Sequence, residues 1–224
     1  MILFKLIVVG DAAVGKSSLM NNYLGNPFMD NEVPTIGVDF GSKIMDGKKV
    51  ILEELKDKYY KKTNSKKNTD IDVKTMIWNT SGQERFHSIV TSYYRKTDGA
   101  IFVCDMTRRE TLEHLNYWIN DYNKSAVKPL SEIGAVIVAN KSDLLDDQEV
   151  SKLDLDALAE QYQIPYFIVS SKMDLDKITL VFENLANQMF ANYLENPIIE
   201  DPDMINLNKP RNVFNNFKNC CTII

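Results

Sequence analysis

The stretch Gly10-Asp11-Ala12-Ala13-Val14-Gly15-Lys16-Ser17 places two glycines, a lysine and a hydroxyl in the pattern G-x-x-x-x-G-K-[ST]. Glycines let the backbone turn tightly, so that successive N–H groups point into one concavity and meet phosphate oxygens. A helix starting at Lys16 adds partial positive charge at the same place. Lys16 is then in reach of the β- and γ-phosphates, and the Ser17 hydroxyl can ligate Mg²⁺. The plainer reading is a Gly-flanked turn with a surface lysine. An apolar strand-like run before the loop and helix formers after it supply the context that a nucleoside-triphosphate site requires.

That loop does not choose between ATP and GTP, but Asn140-Lys141-Ser142-Asp143 does. It follows an apolar run, Ala135 to Ala139, at the strand end where doubly wound sheets bind ligands. A carboxylate at Asp143 accepts two hydrogen bonds from guanine, at N1–H and the 2-amino group. Adenine offers an acceptor and no 2-amino donor there, and the badly paired carboxylate discriminates against it. An ATP-using enzyme is disfavoured on this ground.

Both motifs need strands and helices to hold them. Leu6 to Val9, Val73 to Trp78, Ala100 to Cys104, Ala135 to Ala139 and Tyr166 to Val169 read as strands. Helical stretches cover Lys16 to Leu24, Arg109 to Asn123, Leu153 to Tyr162 and Asp174 to Leu194. In the last of these, Leu175, Ile178, Phe182, Leu185 and Met189 mark the face expected to meet the core. Strands alternating with helices predict an α/β fold, three-layered and doubly wound, with a largely parallel sheet.

The chain has 224 residues and a formal charge of −5, enough for one domain with appendages and contrary to a nucleic-acid-binding surface. Its longest apolar runs fall short of the roughly 18 residues that span a bilayer. Met1 to Val9 lacks a basic leader and is interrupted by Lys5, so it does not read as a signal peptide. Three cysteines make no disulfide framework, which points to a reducing, cytosolic compartment. Cys104 reads as a small core residue. His87 and His114 have no third ligand at metal spacing and read as exposed or partner-contacting.

The phosphate loop, Thr35, Trp78-Asn79-Thr80-Ser81-Gly82-Gln83-Glu84, Asn140-Lys141-Ser142-Asp143 and Ser170-Ser171-Lys172 together resemble the Ras superfamily of small GTPases. Thr35 to Phe40, Gln83-Glu84-Arg85-Phe86, Ser92-Tyr93-Tyr94-Arg95 and Phe102 to Thr107 resemble its Rab branch. The resemblance implies a P-loop GTPase fold, a mostly parallel six-stranded sheet with one antiparallel edge strand, over residues 1–194. It implies GTP or GDP with Mg²⁺, slow hydrolysis without an activating protein, and a switch in vesicular membrane traffic. Nucleotide binding is carried over to Asp11, Ala12, Ala13, Val14, Gly15, Lys16, Ser17, Ser18, Phe28, Pro34, Thr35, Gly82, Asn140, Lys141, Asp143, Ser170, Ser171 and Lys172. Within that set, Ser17 and Thr35 would ligate Mg²⁺, with Asn79 behind them. Gly82 would donate its N–H to the γ-phosphate, and Gln83 would orient the attacking water. Phe28 would lie across the guanine, although taken alone it reads as a core aromatic. Lys141 would pack along the base, Asn140 would brace the loops, and the Ser171 N–H would meet guanine O6. The implied partners are an exchange factor, an activating protein, an escort or dissociation inhibitor and effectors, around a monomer. The implied location is the cytoplasmic face of an intracellular membrane, with a soluble cytosolic pool.

Three positions depart from the family. Asn79 stands where the family has Asp, so no charge faces the metal there. Ala12 and Ala13 occupy a loop where Ser or Gly is frequent, and Ser171 replaces Ala. Asn79 and Ala12 leave open a GTP-binding scaffold with negligible hydrolysis. An insertion near 48–72 separates the switch I strand from the strand ending at Trp78. Its lysine-rich part, Lys56 to Lys67, has six Lys and one Asp and reads as a solvated or disordered loop. A tolerated low-complexity loop is favoured there over an electrostatic contact with anionic lipid or an acidic partner. Residues 195–224 read as a flexible tail. Its end, Cys220-Cys221-Thr222-Ile223-Ile224, fits C-a-a-X lipidation and resembles doubly prenylated Rab termini, giving a membrane anchor at Cys220 and Cys221.

Overall fold

The computed structural model describes residues 1–30, 33–66 and 71–195. The tail with Cys220 and Cys221 lies outside the described residues. In chain order the elements are β1 (Ile2–Val9), α1 (Lys16–Leu24), β2 (Val38–Asp46), α2 (Gly47–Val50), α3 (Glu53–Thr63), β3 (Asp72–Thr80), α4 (His87–Ser92) and β4 (Gly99–Asp105). There follow α5 (Arg109–Glu113), α6 (Leu115–Ser125), β5 (Gly134–Asn140), α7 (Lys152–Tyr162), β6 (Tyr166–Ile168) and α8 (Leu175–Glu195).

The sheet has six strands in the order β2-β3-β1-β4-β5-β6. β2 runs antiparallel to β3 at the edge, with Val38 opposite Thr80 and Asp46 opposite Asp72. All other pairs are parallel. Side chains alternate across the sheet because successive Cβ atoms point to opposite faces. Phe4, Leu6 and Val8 of β1, Ile101 and Val103 of β4, and Val136 and Val138 of β5 meet α1 and α8 in one core. Ile7 and Val9, Phe102 and Cys104, and Ile137 and Ala139 meet α6 and α7 in the other. The result is the three-layered α/β arrangement expected from the sequence. No described helix is long and apolar enough to cross a membrane.

Three expectations change. The stretch from Arg109 is two helices, broken at His114, rather than one. The buried face of α8 begins at Ile178, because Leu175, its first residue, is 53% exposed. Most consequential, Lys56 to Lys67 is not a solvated loop throughout: residues 53–63 form α3. Leu55 is buried, Tyr59 and Tyr60 pack on the core beside α1 and α8, and the Tyr59 ring lies 5.7 Å from that of Phe190. Lys56 itself is 5% exposed, donating to the Lys48 carbonyl at 2.6 Å and to Glu53 Oε1 at 2.7 Å. Asn187 on α8 fastens the insertion from both sides, accepting from Leu52 N at 2.8 Å and donating to Val50 O at 3.0 Å. Leu55 and Tyr59 are four residues apart, so lysine composition obscured a helical period.

Candidate nucleotide-binding site

The strand ends β1, β4 and β5 open on one side of the sheet, and the loops leaving them meet there. Between β1 and α1, Ala13 has φ +62° and Gly15 has φ +93°. Left-handed turns among right-handed ones aim consecutive N–H groups into a nest. A side chain at Gly15 would strike Asn140 Nδ2 at 2.2 Å, so this turn depends on glycine for space as well as conformation. Lys16 opens α1 and folds back over the loop, where its Nζ donates to Gly10 O at 2.8 Å and Asp11 O at 2.6 Å. Burial lowers its pKa to about 7, against the opposing pull of Asp11 and with a further push from Arg108.

Beside Lys16, the Ser17 and Thr35 hydroxyl oxygens lie 2.9 Å apart, although 18 residues separate them in sequence. Asn79, fully buried at the end of β3, donates from Nδ2 to Ser17 Oγ at 2.8 Å. Its Oδ1 is buried without a hydrogen-bond partner. Two hydroxyls and an orphaned amide oxygen are hard oxygen donors suited to Mg²⁺. Being neutral, they leave the balancing charge to come from phosphates. Gly82 presses on the phosphate loop so closely that a Cβ would meet Asp11 C at 2.2 Å and Ala12 N at 2.3 Å. The Gln83 side chain is turned to Arg85, whose Nε donates to its Oε1 at 2.8 Å.

On the other flank, Asn140 ties three loops together. Its Nδ2 donates to Val14 O at 2.8 Å, while its Oδ1 accepts from Ser171 N and Ser171 Oγ, both at 2.9 Å. The Ser171 N–H, assigned to guanine O6 by the resemblance, is therefore engaged by Asn140. Lys141, in a left-handed conformation at φ +63°, reaches Asp105 Oδ2 at 2.6 Å. Burial raises the pKa of Asp105, but hydrogen bonds from Lys141 and Thr107 outweigh it and hold the carboxyl below its usual value. Phe28 is half-buried at the cleft wall and belongs to neither core, so the plain core-aromatic reading fails. Lys172 Nζ lies 5.4 Å from the centre of the Phe28 ring and 2.9 Å from Asp30 Oδ1, closing that end.

These groups enclose a cleft of about 450 Å³. Ala12, Ala13, Gly15, Lys16, Ser17, Ser18, Phe28, Pro34, Thr35, Gly82, Gln83, Asn140, Lys141, Asp143, Ser171 and Lys172 line it. Asp11, Val14 and Ser170 do not. Asp11 turns its carboxylate outward, accepting from Trp118 Nε1 at 2.7 Å and pairing with His114 Nδ1 at 2.7 Å. Arg108 joins the same side of the loop, donating to Ala12 O at 3.0 Å. His114 is exposed, as expected, and its ring also braces the phosphate loop through Asp11. His87 Nε2 lies 3.0 Å from Asp121 Oδ2. Thr80 and Ser81, inside the Trp78 to Glu84 motif but given no role there, also line the cleft, as do Met29, Val33 and Leu144, which carry no motif that would have marked them.

Comparison with known proteins agrees with this geometry. The model of the Ras family matches residues 5–191. The chain belongs to the Ras family. Its relatives place it in the Rab branch: "Ras-related protein RABA5a" of Arabidopsis thaliana is 32% identical over 90% of this chain and 80% of its own length. "Ras-related protein Rab-2B" of Dictyostelium discoideum is 34% identical over 87% of this chain and 84% of its own. "Ras-related protein Rab-11B" of the same organism is 31% identical over 87% and 77%.

Proposed function

We propose that the chain is a Rab-type switch that binds GTP and GDP with Mg²⁺ and hydrolyses GTP slowly, exchanging partners in vesicular membrane traffic. The observation that carries this reading is the approach of Thr35 to Ser17. It puts a switch-loop hydroxyl beside the phosphate-loop hydroxyl, where nucleotide state decides whether that loop is held. Ser17 and Thr35 would hold the metal, with Asn79 Oδ1 as a neutral acceptor behind them. The bound ion supplies charge neutralisation at the β- and γ-phosphates. Lys16 exchanges the Gly10 and Asp11 carbonyls for phosphate oxygens, and the Gly82 N–H steadies the γ-phosphate. Gln83 orients water once it leaves Arg85, and Asp143 selects guanine. Ser171 contributes less to O6 than the family pattern implies while its N–H stays with Asn140.

An exchange factor, an activating protein, an escort and effectors are the partners of such a switch. Prenyl groups on Cys220 and Cys221 would anchor this monomer to the cytoplasmic face of a membrane, with a soluble pool. A second reading, a GTP-binding scaffold with negligible turnover, is favoured by the uncharged Asn79 and by Ala12. Single-turnover hydrolysis of preloaded GTP decides between them, with Mg²⁺ varied and a Gln83→Leu variant alongside. Hydrolysis that rises with Mg²⁺ and is lost in the variant is expected of the switch. GTP that stays intact at saturating Mg²⁺, even with an activating protein, establishes the scaffold.

A further inference from the structure

The insertion ends in a basic face that the nucleotide cycle does not use. Lys58, Lys61 and Lys62 are all exposed on α3, three or four residues apart and so neighbours on its surface. Among the described residues, no ion pair takes any of the three. Lys62 donates instead to the carbonyl of Leu194, in the last turn of α8. Where the two helices meet there is a groove of about 230 Å³ lined by Leu55, Lys58, Lys62, Ala191, Leu194 and Glu195. It has an apolar floor and a lysine rim, and the last residue of α8 forms part of its wall.

The sequence that continues from this wall is Asn196-Pro197-Ile198-Ile199-Glu200-Asp201-Pro202-Asp203. It lies outside the described residues, and its composition complements the groove. Ile198 and Ile199 match the apolar floor, and Glu200, Asp201 and Asp203 match the lysines, with no basic residue between Glu195 and Asp203. Pro197 lacks an N–H and does not extend a helix. Ile198 is three residues from Glu195, so it starts within about 10 Å of the groove. Tethering this close gives the segment a high effective concentration at the groove.

We infer that residues 196–203 dock into the α3–α8 groove, Ile198 or Ile199 seated between Leu55 and Leu194 and the following carboxylates paired with Lys58, Lys61 and Lys62. The occupant is the chain's own tail root. Anionic lipid, the competing occupant for the same lysines, would have to displace three tethered carboxylates. Docking fixes the direction in which the remainder of the tail leaves the domain. It does not rest on nucleotide binding or hydrolysis.

The test is millisecond hydrogen exchange of the full-length chain, read on peptides covering residues 197–204, at low and high salt. Exchange about fivefold slower at low salt than at high salt is expected, because surface ion pairs are screened. A K58E/K61E variant should lose that protection, and combining it with E200K/D201K should restore it. Unchanged exchange in α8 shows that the fold of each variant is intact, since both lysines are exposed. Tail amides exchanging at the free-peptide rate in the unaltered chain would overturn the inference, as would protection indifferent to K58E/K61E. Binding of the chain to phosphatidylserine vesicles that requires these lysines while the tail stays unprotected would assign the surface to lipid instead.

Discussion

Two backbone carbonyls hold the Lys16 ammonium, and burial brings its pKa to about 7. The triphosphate needs that group charged. Without nucleotide the lysine loses its charge as pH rises through about 7, so binding takes up a proton and the bound pKa is the higher one. Nucleotide affinity should therefore fall as pH rises from 7 to 9, by up to about tenfold per unit. Calorimetry in buffers of different ionisation enthalpy checks this, and an affinity flat across that range would refute it. Asn79 gives a second prediction with two signs. Asn79→Asp places a carboxylate where Oδ1 is unpartnered, and should lower the Mg²⁺ concentration that retains nucleotide by about tenfold, or about 1.4 kcal/mol. Without metal and nucleotide the same change buries an unpaired charge and should lower the melting temperature. Nucleotide-release rates against Mg²⁺ and melting curves in chelator measure the two effects. Lys16, Gly82, Asn140 and Asp143, which meet at the cleft, were legible because short motifs hold them at fixed local spacing. The braces behind the loop were not: Trp118 and Asp11 are 107 residues apart, and Arg108 and Ala12 are 96 apart. Only the parallel pairing of β1 with β4 brings their loops together.

Elements were read from apolar period, and the outcome followed the strength of that period. The strands β4 and β5 are buried throughout, and their apolar stretches Ala100 to Cys104 and Ala135 to Ala139 stand where the sequence put them. The helix α3 was missed because seven of its eleven residues are charged and its apolar side, Leu55 and Tyr59, needs α8 to cover it. Tertiary packing made the helix, as it does for most short helices in water. Asn187 is the fastener to test. Asn187→Ala removes its bonds to Leu52 N and Val50 O, which should cost about 1–3 kcal/mol. Hydrogen exchange in α2 and α3 should rise while that of β1 and β4 stays slow. Equal loosening of all four would mean that the insertion is not a separate unit of stability.

At the scale of the whole molecule, the sheet divides the interior into two cores, and the insertion joins only one of them. Ile51, Leu55 and Ile71 belong to the core under α1 and α8. Replacing residues 47–71 with a two-residue turn should lower the melting temperature by exposing Phe190 and its neighbours. GTP binding should survive, because no cleft residue comes from that segment. Loss of nucleotide binding together with stability would show that the insertion supports the site. Lys62 adds one more consequence. The last turn of α8 contains no basic residue of its own, and the cation at its carbonyl end comes from the insertion. The order of change matters for such a chain. A lysine or arginine would have to arise near the end of α8 before the insertion could be trimmed without penalty, whereas the reverse order passes through a weakened intermediate.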